Sequence, residues 1–148
     1  ERGVNICRFA RMLAHDKATL DDLDLLLDLA DSQITYRSRY LEGIALTPVR
    51  DLTILDPFNP RSVAFQVETL KTHLAALPTL QDDGMPEEPS RQLIRLASLV
   101  ETEDAATLGV PEILTFEQML MTLSNAVSDR YFLQGSNATP TKKQGGLA

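Results

Sequence analysis

Arginines at core-facing helical positions are the residues in this sequence with the clearest capacity for chemistry. Between residues 20 and 44, apolar residues recur at gaps of three and four, and Arg37 occupies one place in that pattern. The pattern predicts one long amphipathic helix with Arg37 on its buried face. A guanidinium is costly to remove from water unless acceptors meet it, so this position indicates an ion pair, a ligand or an adjoining cavity.

Other arginines at similar positions could meet Arg37 in the folded chain. They are Arg2 in the first apolar stripe, Arg61 in the first turn after a proline, and Arg130 near the edge of the last stripe. Because a planar guanidinium binds carboxylate or phosphate groups through paired hydrogen bonds, converging arginines would form a site for such an anion. In the alternative interpretation, the arginines pair internally with acids and only stabilise the fold. The acids available for this are Glu1, Asp56 and Asp129.

The segment at residues 56–62, DPFNPRS, combines an acid, an amide, an arginine and a hydroxyl where a helix is predicted to begin. Free backbone N–H groups at a helix N-terminus favour anions, so Asp56, Asn59, Arg61 and Ser62 are candidates for a binding loop. The alternative is a turn in which Asn59 caps the next helix.

Aromatic rings and positive charge are mixed in a second cluster, Tyr36, Arg37, Arg39 and Tyr40. On the predicted helix Arg39 points away from Arg37, and we expect it to be solvated. Tyr131 follows Arg130 near the edge of the last stripe and is a further candidate.

Helical periodicity and end signals assign nearly all of the chain to α-helices. We predict an all-α fold, an antiparallel bundle of five or six helices over residues 1–134. The predicted caps are Thr19, Thr47 before Pro48, Asn59 before Pro60, Ser90, and Thr115 with Gln118. Residues 79–89 are predicted to form a polar loop and residues 135–148 a disordered tail.

Composition and charge narrow the classes of function. The net charge of -7 opposes electrostatic capture of nucleic acid or of an anionic membrane surface. No apolar run has the length of a membrane span, and no signal-peptide pattern opens the sequence. The single cysteine, Cys7, excludes an internal disulfide. Because disulfides are rare in the reducing cytoplasm, this favours a cytoplasmic location.

Recognisable catalytic and metal-binding patterns are few. His15 and His73 are far apart in the sequence, no cysteines and histidines have the spacing of zinc ligands, and no glycine-rich phosphate loop occurs. Cys7 is not accompanied by a base, which favours a small buried thiol over a nucleophile. The sequence therefore predicts neither a metal nor a cofactor.

Three runs of this sequence resemble the alpha-E domain family, a predicted α-helical domain named for a Glu-Arg motif. They are YRSRYL at 36–41, PVRDLTILDPFNPRSVAFQV at 48–67 and LSNAVSDRYF at 123–132. Glu1 and Arg2 look like the family's last Glu-Arg element. Because the chain starts in mid-pattern with Glu1 rather than methionine, we interpret it as the C-terminal part of a longer domain. The N-terminal half of that domain is then an expected partner.

The resemblance implies an accessory role rather than a reaction. Family members resemble components that act beside, or fused to, ATP-grasp type ligases and transglutaminase-like peptidases in predicted peptide synthesis or modification. We therefore expect a non-catalytic binding or scaffolding domain that holds a carboxylate or phosphate. The alternatives are a catalytic ligase or transferase subunit that uses the same Arg/Asp cluster, and a purely structural helical fragment. The candidate ligand-binding residues are Glu1, Arg2, Arg37, Arg39, Asp56, Asn59, Arg61, Ser62, Arg130 and Tyr131.

Overall fold

The fold is all-α in the computed structural model, which describes residues 1–79, 84 and 87–133. Within these residues there are seven α-helices, two π-helical turns and no strand. The α-helices are α1 (Arg2–Leu13), α2 (Leu20–Leu29), α3 (Gln33–Arg39), α4 (Leu46–Arg50), α5 (Val63–Ala75), α6 (Glu88–Thr102) and α7 (Val110–Val127), and the π-turns are Asp51–Leu55 and Ser128–Leu133. The predicted all-α class is confirmed. The predicted tail lies outside the described residues, as does most of the predicted loop at 79–89.

The longer helices α1, α5, α6 and α7 pack together. Helix α2 packs on α1, helices α3 and α4 pack on α2, and the first π-turn lies against α1 and α5. Helices α1 and α7 run antiparallel, because Gly3 meets Leu120 near one end of the pair and Arg11 meets Glu117 further along α1. A Cβ on Gly3 would lie 2.9 Å from Leu120 Cδ1, so the absence of a side chain there permits the close approach of the two helices. Phe116 and leucines from several helices fill the core between them.

A sharp corner separates α2 from α3, and the predicted single helix over residues 20–44 is wrong. Asp31 adopts a left-handed backbone with φ of 48°, and the Ser32 N–H donates to Leu27 O at 2.8 Å. The Asp31 N–H donates to Asp28 O at 3.0 Å. These two bonds form a Schellman motif, in which Asp31 takes the position usually held by glycine and ends the helix.

The corner also changes which residues of α3 face the core. Tyr36 is buried, and its hydroxyl donates to Gly43 O at 2.8 Å and accepts from the Ala45 N–H at 3.1 Å. Arg37 is exposed, and so are Ile34 and Leu41, at 86% and 90%. The predicted inward position of Arg37 is therefore wrong, because the new helix presents the preceding residue, Tyr36, to the core.

The predicted start of α2 is confirmed. The Thr19 hydroxyl accepts from the Asp22 N–H at 3.1 Å, and the Asp22 carboxylate accepts from the Thr19 N–H at 3.0 Å. This reciprocal capping box holds the pKa of Asp22 below its ordinary value, mainly through the hydrogen bond from the Thr19 N–H.

The N-caps of the four other predicted helix starts are displaced by two to six residues. Helix α4 starts at Leu46, before Thr47, and α5 is capped by Ser62 instead of Asn59. Helix α6 starts at Glu88, two residues before Ser90, because Pro89 fits the first turn of a helix. Helix α7 starts at Val110, where the Glu112 carboxylate accepts from the Gly109 N–H at 2.9 Å, rather than at Thr115.

Thr19→Ala should destabilise the protein by about 1 kcal/mol, because it removes the capping oxygen from α2. The comparison is Thr72→Ala, at an exposed threonine within α5, which should raise the free energy of unfolding by up to about 0.7 kcal/mol because alanine has the higher helix propensity. Urea unfolding followed by circular dichroism measures both. Equal stability of the two variants would contradict a stabilising role for the cap.

The capping carboxylate also makes stability depend on pH. Since the pKa of Asp22 is lowered in the folded state, the contribution of Asp22 to the free energy of unfolding is present above the ordinary carboxyl range and is lost as the pH falls through the folded pKa.

Candidate functional site

The polar loop at residues 56–62 buries Asp56, Asn59 and Ser62, whereas its other residues are exposed. Asp56 is buried, with one carboxylate oxygen accepting from the Phe58 N–H at 2.8 Å and the other from the Arg39 guanidinium. The buried Ser62 hydroxyl donates to Asp56 O and accepts from the Phe65 N–H, which caps α5. Both oxygens of the Asp56 carboxylate thus have partners within the protein.

Asn59 is almost completely buried in this loop, at 1% exposure. Its side-chain amide donates to the Ser32 hydroxyl at 3.1 Å and to Leu52 O at 3.0 Å. Its side-chain oxygen accepts from the Arg61 N–H at 3.2 Å. Asn59 therefore joins the α2–α3 corner, the first π-turn and the loop. It does not cap the next helix, as the alternative interpretation expected, because Ser62 does so.

Arg39 and Arg61 are the arginines that border this loop. Arg39 was predicted to be solvated, but it forms an ion pair with the buried Asp56. Arg61 is exposed and lies 3.0 Å from the Asp31 carboxylate, which the corner after α2 presents to it. Since Asp31 is also largely exposed, that pair contributes little to stability.

The remaining predicted arginines do not converge. Arg37 faces solvent on α3, and Arg2 is exposed at the start of α1, so the predicted inward position of Arg2 is also wrong. Arg130 Nε lies 2.7 Å from the Glu87 carboxylate, which ties the second π-turn to the start of α6. Tyr131 is half-buried in the same π-turn. The structure therefore does not form the predicted four-arginine cluster.

Arg2 instead lies at a long groove between α1, α5 and α7, which we call the basic groove. Its volume is about 1040 Å³. Its apolar lining residues are Val4, Leu70, Leu74, Leu120, Met121, Leu123, Val127 and Phe132. Arg2, Arg8 and His73 also line it, and Glu1 is the one acid among the described lining residues. The groove therefore combines an apolar surface with an excess of basic side chains.

The sequence interpretation missed a buried arginine, Arg50. Its guanidinium donates to Ala14 O at 2.7 Å, to Leu108 O at 2.9 Å and to the Asp16 carboxylate at 3.1 Å. It therefore fixes the end of α1 and the loop before α7 at once. Its position next to Val49 was the only indication in the sequence that Arg50 is buried. The π-turn that follows changes the helical phase, so the apolar periodicity does not mark Arg50 as a buried residue.

Glu117 is a second buried charge that was missed. Arg11 binds it through two hydrogen bonds, Nε to Oε1 at 3.0 Å and Nη2 to Oε2 at 3.2 Å, and Arg8 lies 3.9 Å away. Glu117 lies four residues after Ile113 and three before Leu120, so the periodicity that was applied to Arg37 would have identified it. This pairing satisfies the charge of Glu117 within the α1–α7 interface.

Cys7 is fully buried in the core, in agreement with its prediction as a structural thiol. Burial, and next the nearby Glu117 carboxylate, raise the pKa of the thiol from 9.0 to about 12. Cys7 therefore remains protonated near neutral pH, which opposes a nucleophilic role.

In the described part of the chain, no group of three or more His, Cys, Asp or Glu side chains is placed to hold a metal ion. None of the helices described combines the length and the apolar character needed to cross a membrane.

The fold and these contacts define an all-α domain whose buried charges are paired and whose helices leave a long groove. The chain belongs to the Alpha-E family, described as a predicted alpha-helical domain with a conserved ER motif, whose model matches residues 1–132. The only Glu-Arg dipeptide in the chain is Glu1 with Arg2, and both residues line the basic groove.

Relatives of this chain include uncharacterised proteins of Mycobacterium bovis and of two strains of Mycobacterium tuberculosis. Each is 30% identical to the chain over 73 residues, which are 49% of this chain and 8% of the relative. The chain thus matches only a small part of the length of these proteins. No solved structure matches the chain significantly.

Arg50→Ala should destabilise the protein by roughly 2–4 kcal/mol, because it leaves two buried carbonyl oxygens without a donor. Arg37→Ala should change stability by less than about 0.5 kcal/mol, because its guanidinium is exposed. Chemical denaturation of the two variants measures the difference. A large loss of stability in the Arg37 variant would contradict the orientation of α3.

Cys7 should react with a thiol-specific reagent roughly a thousandfold more slowly in the folded protein than in urea at pH 8, because few folded molecules carry the thiolate. Since its pKa is raised on folding, its contribution to stability is present below pH 9.0 and is lost as the pH rises toward about 12. Absorbance at a fixed reagent concentration follows the reaction. Equal rates in the folded and unfolded protein would show that Cys7 is accessible.

Proposed function

We propose that this chain is a non-catalytic binding or scaffolding domain. In this proposal the basic groove receives a carboxylate-bearing, partly apolar segment of a partner protein in an ATP-grasp-associated peptide synthesis or modification system, located in the cytoplasm. The partner is an ATP-grasp type ligase or a transglutaminase-like peptidase. The observation that carries the proposal is the apolar, basic lining of the groove between α1, α5 and α7.

The charges at the groove favour an anionic ligand. Arg2 is exposed, and Arg8 makes only a long 3.9 Å approach to Glu117 and a 4.0 Å contact with Met121 Sδ. Both guanidinium groups are therefore available to a carboxylate, which they can bind through paired hydrogen bonds. The hydrophobic lining adds apolar contact, and this combination suits a peptide better than a free phosphate.

The family supports the choice of partner. The resemblance of the 36–41, 48–67 and 123–132 runs to alpha-E domains implies action beside ligases and peptidases that handle peptides. A domain that holds a peptide carboxylate would serve either enzyme by positioning its substrate or by recruiting it. The proposal therefore assigns recognition to this chain and the chemical step to its partner.

The probe is a fluorescein-labelled helical peptide with one glutamate face and one leucine face. Arg2→Glu should weaken its binding by about tenfold, because the attraction between Arg2 and the peptide carboxylates becomes repulsion. Arg95→Glu is the matched control, since Arg95 is an exposed arginine on α6 that does not line the groove. Fluorescence anisotropy at two salt concentrations gives the dissociation constants. The control should bind nearly as the unmodified chain does.

Equal loss of binding in the two variants would mean that only the overall charge matters and would contradict a site at the groove.

A second measurement distinguishes the binding proposal from the alternative that this chain is a catalytic subunit. ADP release by a purified ATP-grasp type ligase, supplied with Mg-ATP and a peptide acceptor, is compared with and without this chain. Turnover that requires the chain and is abolished by Arg61→Ala would replace the binding proposal by the catalytic one.

A further inference from the structure

A second groove lies on the other side of α5, between the first π-turn, α5 and the C-terminal half of α6. We call it the acidic groove, and its volume is about 680 Å³. Its apolar lining residues are Leu55, Pro57, Ala64, Val67, Ala97, Val100 and Ala105. This size lies within the roughly 300–1,000 Å³ of ordinary ligand pockets, and the small alanines allow an occupant to approach the helices closely.

Acidic side chains surround this apolar lining. They are Asp51, Glu68, Glu101, Glu103 and Asp104, and no basic residue lines the groove within the described part of the chain. Neutral groups hold three of these acids in place. Asp51 accepts from the Tyr40 hydroxyl, Glu103 from the Thr107 hydroxyl and Asp104 from the Ala106 N–H.

Lys71 is the one cation that contacts these acids among the described residues. Its ammonium lies 2.8 Å from Glu68 and 3.1 Å from Glu101. Hydrogen bonds from Lys71 lower the pKa of Glu68, so this carboxylate is ionised at neutral pH. Five carboxylates and one ammonium leave an excess of four negative charges around the groove. A concave apolar surface concentrates the field of such charges and raises the local concentration of cations.

The position of these acids on α6 is unfavourable in the free protein. Glu101 lies in the last turn of α6, which contains no basic residue, and Glu103 and Asp104 follow directly. A helix C-terminus carries partial negative charge, which disfavours nearby carboxylates and favours cations. An occupant with positive charge would relieve both the repulsion among the acids and the repulsion from the helix end.

We infer that the acidic groove is a docking site for a short basic segment of a partner protein, with Lys or Arg side chains at the acids and apolar side chains on the accessible Leu55, Pro57 and Ala105. Charge complementarity selects a cation, and the apolar lining selects a peptide over a small amine. The inference goes beyond the proposed function. Ala64 and Val67 face the acidic groove, whereas Gln66 and Leu70 face the basic groove, so two segments of opposite charge could bind on opposite faces of α5.

The test uses the full chain and a fluorescein-labelled helical peptide with one lysine face and one leucine face. Glu68→Gln combined with Glu101→Gln should weaken its binding by about tenfold, because two carboxylates are removed while Lys71 remains. Asp28→Asn combined with Asp129→Asn is the matched control, because it removes the same charge from exposed residues outside the groove. Thermal melting confirms that each variant is folded.

A steric pair tests the apolar part of the inference. Ala105→Trp should block the groove and weaken binding by at least about tenfold, whereas Ala106→Trp, at the exposed neighbouring residue, should leave it nearly unchanged. Equal losses in the acidic variant and its control, or equal losses in the two tryptophan variants, would overturn the site. Equal affinity for an all-lysine peptide without leucines would show attraction by charge alone and would also overturn the inference.

Discussion

The arrangement of the middle of the chain depends on the buried carboxamide of Asn59. This side chain contacts the corner after α2 through Ser32, the first π-turn through Leu52, and the segment just before α5 through Arg61. Because its two donated bonds and one accepted bond are made inside the protein, the geometry of all three segments is fixed together. The loop at residues 56–62 thus acts as the junction between the short helices and the larger bundle.

The all-α class and the start of α2 could be predicted from the sequence, because apolar periodicity and capping signals are local. The corner at Asp31 could not, since a non-glycine residue in the left-handed region is uncommon and aspartate occurs throughout α2. That one residue shifted the helical phase of α3 and moved Arg37 to the surface. The first π-turn altered the phase again after Arg50, which is why a buried arginine there left so little trace in the pattern.

In the candidate site, too, the features set by neighbouring residues could be predicted from the sequence, whereas the contacts between distant segments could not. The segment containing Asp56, Asn59 and Ser62 was recognised as polar and structured, and these three residues do form one buried network. The partners of the charged residues were not predictable, because Arg39 with Asp56 and Arg11 with Glu117 are set by tertiary packing. The grooves are likewise products of packing, since the residues of each come from helices that are distant in the sequence.

The aromatic pair at the C-terminal end of α3 has a consequence for how this protein can be observed. The chain has no tryptophan and three tyrosines, and the rings of Tyr36 and Tyr40 lie 4.8 Å apart with an interplanar angle of 32°. Tyr36 is buried, while the Tyr40 hydroxyl donates to Asp51 at the acidic groove. Near-ultraviolet circular dichroism and tyrosine emission therefore report mainly on the C-terminal end of α3. The tyrosine pair is an intrinsic spectroscopic probe located between the Asn59 network and the acidic groove.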